Sequence, residues 1–440
     1  MKLGLALLFL LLSFCATAQK VVLISNVKIF NGKDNSTVTG HVLITDDAIT
    51  KISTTPIPTN KSAMTTIIDG KGKFLMPGLI DAHVHTMFES IQMAVGLSSE
   101  IGYVNIVAAK AAEAQLLRGF TTVRDLGGSS FSLKRSIDEG YVKGPRIFPS
   151  GATISQTSGH GDFGHPTDVP KDLDRSLSYL ERSGQTIIAD GVDQVLIRTR
   201  EQLRQGASQI KIMAGGGVSS AYDPLDVAQY TEEELSAAVK AAAGWNTYVT
   251  VHAYTPTAVQ AAIKAGVKCI DHGHLIDEET AKLMAEKGIW WSMQPFQDDQ
   301  DAAPFPKGSE ARKKYLQMVE GTENAYKLAK KYNIKLAFGT DILFDPKLAK
   351  RQGAQLAKLA KWFTPFEVLK MATSDNASLL EMSGPRNPYN KKLGVIEEGA
   401  YADLILVEGN PLENINLVAD PDKNFILIMK NGEVIKNTIK

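Results

Sequence analysis

Cysteine is almost absent from this chain of 440 residues, which has only two, Cys15 and Cys269. If Cys15 leaves with an N-terminal leader, no internal disulfide is possible and stability must come from an apolar core. Net charge of either sign is also missing, since 48 Lys and Arg balance 48 Asp and Glu. With no basic run and no aromatic-basic interleaving, nucleic acid is excluded as a natural partner. No Gly-x-Ser-x-Gly elbow appears. The GGGVSS run at 215–220 lacks the Gly-Lys-Ser/Thr ending of a phosphate loop and is expected to be a mobile flap after a strand. Beyond residue 18 there is no apolar run long enough to span a bilayer, so the mature chain is expected to have no transmembrane segment.

The first 18 residues differ from the rest. Lys2, the apolar stretch Leu3–Leu12 and the small-x-small triplet Ala16-Thr17-Ala18 have the pattern of a secretory signal peptide. The stretch is short of the roughly 20 residues of a membrane anchor. A lipoprotein signal ending at Cys15 is an alternative that Phe14 fits poorly. The expectation is cleavage near Ala18 and a periplasmic or secreted protein.

At this length the chain is expected to hold more than one domain. Both ends are strand-like. VVLISNVKIF and HVLITDDAITKIS lie early, ADLILVEGN and FILIMKNGEVI late, with Asn431-Gly432 a hairpin turn. Neither end has strands enough to be stable alone. The simplest arrangement pairs 19–76 with 376–440 as one small discontinuous β-sandwich.

Between them, residues 77–375 alternate strands with helices. Eight strand candidates follow one another: 79–85, 121–127, 146–151, 209–216, 248–254, 267–273, 289–295 and 335–341. Thr231 with Glu234 forms a capping box, and Thr255-Pro256 and Thr364-Pro365 are helix starts. The class is α/β, and eight βα units favour a (β/α)₈ TIM barrel. Residues 152–200, between the third and fourth strands, are expected to contribute an active-site loop.

Barrel active sites lie at the C-terminal strand ends. His83 and His85 end the first strand, and in a strand residues two apart share a face, so two imidazoles aim at one point. Lys211 lies in the fourth strand between Ile210 and Ile212, His252 in the fifth, His272 in the sixth, and Asp341 ends the eighth. Singly, each has an ordinary structural explanation; jointly they make a metallohydrolase. Lys211 faces the interior, where burial and nearby metal lower an ammonium's pKa, so the neutral amine can take up carbon dioxide and bridge two metals as a carbamate. The alternative is that it reaches toward the barrel rim. This donor mixture suits two divalent ions, zinc first, with manganese, cobalt or iron as options. They would hold a bridging hydroxide, with Asp341 as general base and then acid. Cys269 is expected to pack in the core.

The segments PGLIDAHVH (77–85), GFTTVRDLGG (119–128), SGHGD (158–162), QIKIMAGGGVSS (209–220), VHAYTP (251–256), DHGHLID (271–277) and GTD (339–341) resemble the amidohydrolase superfamily. More narrowly they are similar to its imidazolonepropionase-like branch, which contains the Xaa-Pro dipeptidases and related metallocarboxypeptidases. The resemblance implies metal ligation by His83, His85, carboxylated Lys211, His252, His272 and Asp341. It implies that His160 and Tyr254 hold a substrate carboxylate, roles that suit an imidazole and a phenol O–H. His274 departs from the relatives and is assigned no role. The implied activity is a dipeptidase or carboxypeptidase of Xaa-Pro type acting on a small-molecule or dipeptide substrate. Alternatives are hydrolysis of cyclic amides, or of N-acyl amino acids and aryl amides in the manner of an ochratoxin amidase. A metal-free binding protein is a third reading, opposed by the filled ligand set. A homo-oligomer is left open.

Overall fold

The computed structural model describes residues 19–60, 62–165, 167–168, 176–220 and 222–439. The signal-peptide expectation over residues 1–18 lies outside the described residues.

The two ends of the chain meet in one seven-stranded sheet. Its order is Glu433–Asn437, Phe425–Lys430, Leu404–Val407, Thr65–Pro77, Val21–Ile29, Val38–Thr45, Ala48–Ser53. Thr65–Pro77 joins the halves, parallel to Val21–Ile29 on one side and antiparallel to Leu404–Val407 on the other. Period-two alternation aims one set of side chains inward, as along Val38–Thr45. Val22, Ile24, Ile44, Leu75, Leu404 and Leu427 form a core of their own. Asn431 and Gly432 both take positive φ, 53° and 67°, which gives the hairpin the twist its strands need. A single hydrogen-bonded sheet curls until Ala48 bridges Tyr401 and the Ile49 N–H reaches the Ala400 carbonyl.

All eight strand candidates of the middle region are strands, and all pair in parallel. They do not form one closed hydrogen-bonded ladder. Leu79–Val84, Phe120–Asp125 and Arg146–Pro149 make one sheet. Leu336–Phe338, Trp290–Met293, Cys269–His272, Val249–Ala253, Ile210–Met213, Thr153–Ser155 and Thr186–Ile188 make a second. The break after Arg146–Pro149 has a local cause. Pro149 has no N–H to offer a neighbour, and Gly151 at φ 77° swings the chain aside. Thr153–Ser155 then takes the place beside Ile210–Met213, through Ile154 opposite Ile212. At the other junction the Asp341 N–H donates to the His83 carbonyl at 2.8 Å, so the last strand's end lies against the first. The excursion over 152–200 holds two three-residue strands and the helices Tyr179–Arg182 and Val192–Gln205.

Thr231 and Thr364 each close a capping box, with Glu234 and Glu367. Thr255 sits at its N-cap without a capping bond, and its hydroxyl is buried and unpaired. Among the described residues no helix is long and apolar enough to cross a membrane.

Candidate metal centre

The site starts from Leu79–Val84. Ile80, Ala82 and Val84 pack into apolar clusters on one side, so Asp81, His83 and His85 share the other. Asp81 is the anchor. Its Oδ1 accepts the N–H of His83 (3.1 Å) and of Thr340 (3.0 Å). Its Oδ2 accepts the Thr340 hydroxyl (2.7 Å) and Gln352 Nε2 (2.8 Å). One carboxylate thereby fixes the end of the first strand and the approach to Asp341. Burial pushes Asp81 up to about 6, against those four donors.

His83 Nε2 and His85 Nε2 each lie 3.1 Å from Asp341 Oδ1. Donor atoms of His83, His85 and Asp341 fall within 4.8 Å of one another. Burial drives His83 down to about 4 despite Asp341. Burial also holds His252 and His272 well below the ordinary histidine value. Burial opposes ionisation of Asp341, yet His83 and His85 overcome it and hold the carboxyl well below the usual range. Imidazoles around an ionised carboxylate are the donor set a divalent cation requires.

His272 and His252 stand beside this group. The His83 and His272 rings are 5.1 Å apart, and those of His252 and His272 4.4 Å. Each is oriented by one ring nitrogen: His272 Nδ1 meets Gln294 Oε1 at 2.7 Å, and His252 Nε2 meets the Gly216 carbonyl at 3.0 Å. The other nitrogen of each has no hydrogen bond among the described residues, which is the usual arrangement of a metal-binding histidine. His272 takes φ 78° and Asp341 φ 52°, left-handed values that non-glycine residues avoid and functional sites tolerate.

Lys211 is buried and its Nζ lies 2.5 Å from Asp271 Oδ2. Asp271 also accepts from Thr250 Oγ1 (2.8 Å) and Arg124 Nη2 (2.8 Å), and stands 3.6 Å from His83 Nδ1. Burial pulls the Lys211 ammonium down, against the neighbouring Asp271 carboxylate. Asp271 and His272 are adjacent, yet both reach inward, because the left-handed turn at His272 breaks the strand alternation.

His160 stacks on His252, with ring centroids 4.1 Å apart at 18°. Tyr254 lies 4.9 Å from both His252 and His272, and its hydroxyl has no hydrogen bond among the described residues. Burial, then Asp341 and Asp223, keep that phenol protonated. All eight residues singled out in the sequence therefore stand in one neighbourhood. His83, His85 and Asp341 converge on a point, whereas Lys211 is engaged by Asp271. His274 is buried against Phe296, with Nε2 on the Gln294 carbonyl at 2.9 Å.

Sequence reasoning passed over Asp81, Arg124, Asp223, Asp271 and Gln294. Asp81 was within reach, since 81, 83 and 85 share one parity. The others act across tens of residues and leave no local pattern.

The fold and this centre define a metal-dependent hydrolase, and the comparisons agree. The chain belongs to the amidohydrolase family, whose model matches residues 74–435. It is 34% identical over 372 residues to the ochratoxinase of Aspergillus niger, covering 82% of this chain and 75% of that one. A crystal structure of a prolidase complexed with N-methylphosphonate-L-proline superposes with a TM-score of 0.85 at 33% identity, over 95% of this chain and 100% of the other. A Xaa-Pro dipeptidase with methionine bound in its active site gives 0.80 at 30%, over 94% and 99%. The protein is a hydrolase of amide or peptide C–N bonds.

Proposed function

We propose that this chain is an exported metallodipeptidase or carboxypeptidase that cleaves the amide before a C-terminal residue, with Xaa-Pro dipeptides the leading substrates. The observation that carries this reading is His160 stacked on His252 with Tyr254 alongside, which sets two carboxylate-binding donors against the metal-ligand cluster. The eight parallel strands then act as a (β/α)₈ barrel whose strand ends share one site.

The donor set fits divalent ions, zinc foremost. His83, His85 and Asp341 would hold one, and His252 and His272 another, with carboxylated Lys211 between them. When bound, such ions supply Lewis acidity toward the scissile carbonyl and toward water. The rest falls to the chain. Asp341, held ionised, takes a proton on its carboxylate as water attacks and returns it to the leaving amine nitrogen. His160 and the Tyr254 hydroxyl hold the carboxylate of the departing residue. Asp81 keeps His83 and Asp341 in register through Thr340.

Likeness to an ochratoxinase favours a second reading on the same site, an N-acyl amino acid or aryl amide in place of a dipeptide. Cyclic amides of imidazolone type are the remaining alternative. The test is hydrolysis of a dipeptide library by zinc-reconstituted mature protein, with Lys211→Ala as control. Cleavage focused on one C-terminal residue and lost in the variant supports the dipeptidase. Silence across the library, with turnover of N-acyl or aryl amides, transfers the function to the second reading.

A further inference from the structure

Lys314 Nζ donates to three main-chain carbonyls, those of Gly217 (3.1 Å), Ser220 (3.2 Å) and Asp223 (2.8 Å). An ammonium has three N–H donors, so all of them are engaged by one short stretch. Lys314 belongs to the helix Glu310–Lys331, about 100 residues further along the chain than the carbonyls it gathers.

The same stretch holds His160 from the other side. His160 Nδ1 lies 2.6 Å from Ser220 Oγ and 3.2 Å from Asp223 Oδ2. Asp223 Oδ2 also accepts the Gly217 N–H at 2.7 Å. Asp223 is buried, and with His160 and Ser220 beside it its carboxyl stays ionised despite burial. An ionised carboxylate only accepts, so Nδ1 carries the hydrogen. The opposite nitrogen, Nε2, has no hydrogen bond among the described residues. Gly217 completes the seat, because a Cβ there would come within 2.0 Å of His160 Nδ1.

We propose that Asp223 and Lys314 are positioning residues for His160. Asp223 fixes its Nδ1–H and its ring plane, and Lys314 fastens the backbone that carries Asp223. His160 is thereby stacked on His252 with Nε2 facing the substrate. Neither residue touches substrate; both set the selectivity for a free carboxylate. This inference rests on the carboxylate-binding role given to His160 above only for its kinetic consequence.

The test uses zinc-loaded mature protein with ¹⁵N-labelled histidine, His160 being assigned by its loss in His160→Gln. In the wild type His160 shows a protonated Nδ1. In Asp223→Asn that signal shifts as the Nδ1–H loses its carboxylate acceptor, and in Lys314→Met it shifts the same way while Lys313→Met leaves it in place. On the best substrate, KM rises about tenfold in Asp223→Asn and Lys314→Met with kcat little changed. The corresponding carboxamide shows no such rise, and neither variant adds anything in the His160→Gln background. Unchanged His160 nitrogen signals in both variants, or additive effects with His160→Gln, overturn the inference. If His160→Gln itself treats carboxylate and carboxamide alike, the carboxylate reading fails, and the nitrogen signals still decide the positioning. Lys314→Met, on the outer helix, serves should Asp223→Asn fail to fold.

Discussion

Arg124 Nη2 donates to Asp271 Oδ1 at 2.8 Å, and both side chains are wholly buried. The guanidinium belongs to Phe120–Asp125, in one parallel sheet, and the carboxylate to Cys269–His272, in the other. Arg124 Nη1 reaches the Tyr248 hydroxyl at 3.2 Å, and Nε the Ala82 carbonyl at 2.5 Å. One side chain therefore ties the two sheets together beside the cluster of His83, His85 and Asp341.

Replacing Arg124 by Met removes one partner of a buried ion pair and leaves Asp271 with Lys211, Thr250 and His83 beside it. Breaking such a pair costs about 3–5 kcal/mol. The expected result is a large fall in the urea midpoint, partly recovered in Arg124→Lys. A change of less than about 1 kcal/mol would show that the strut is dispensable.

Asp341→Asn keeps the shape of the ligand and removes its charge and its proton-accepting role. Hydrolysis should fall by about 10²–10⁴-fold. Elemental analysis should find less metal per chain, because the carboxylate is one of the three converging donors. Chelation of the wild type should abolish turnover and zinc or manganese restore it. Full activity after exhaustive chelation would remove the metal chemistry altogether.

Gly339 packs so closely on the first strand that a Cβ would come within 2.4 Å of His83 Cβ and 2.7 Å of its backbone nitrogen. Gly339→Ala should push Asp341 away from His83 and His85. Metal affinity and thermal midpoint should drop together, whereas an exposed substitution such as Lys240→Ala should alter neither. Wild-type metal binding in Gly339→Ala would contradict the tight approach.

Lys430, in the terminal sheet, is buried. Burial, then the Arg146 cation, push its ammonium down to about 8, from an ordinary 10.5. The folded state thus holds this proton less tightly than the unfolded chain. Its destabilising effect is complete below pH 8 and is relieved as pH rises from 8 toward 10.5. A gap of this size is worth on the order of 3 kcal/mol. Lys430→Met should raise the melting midpoint at pH 7, and the gain should shrink by pH 10. A midpoint that falls at pH 7 would mean the ammonium is well accommodated.

The eight middle strands were legible because they are short apolar runs, six of the eight ended by Gly, Pro or Asp. His83 and His85 were legible because period two fixes their shared face. Thr153–Ser155 and Thr186–Ile188 were not, since three residues are too few to display a period. Nor was the partner of Lys211. By alternation Asp271 and His272 belong on opposite faces, and a positive φ at a histidine has no signature in sequence. The break in the ladder was half visible: Pro149 and Gly151 stood at the end of a candidate strand, but nothing local said that Thr153–Ser155 would step in.

Leu75 and Leu406 pair directly in the terminal sheet, roughly 330 residues apart. During synthesis at about 5–20 residues per second, the edge of Thr65–Pro77 that Leu404–Val407 will cover is bare for tens of seconds. That edge is an invitation to the wrong partner. Only Gly78 separates it from the strand that bears His83. The nascent chain thus carries the strand of His83 next to a long-lived unpaired edge, and a chaperone that shields residues 65–77 would protect the candidate site before it exists.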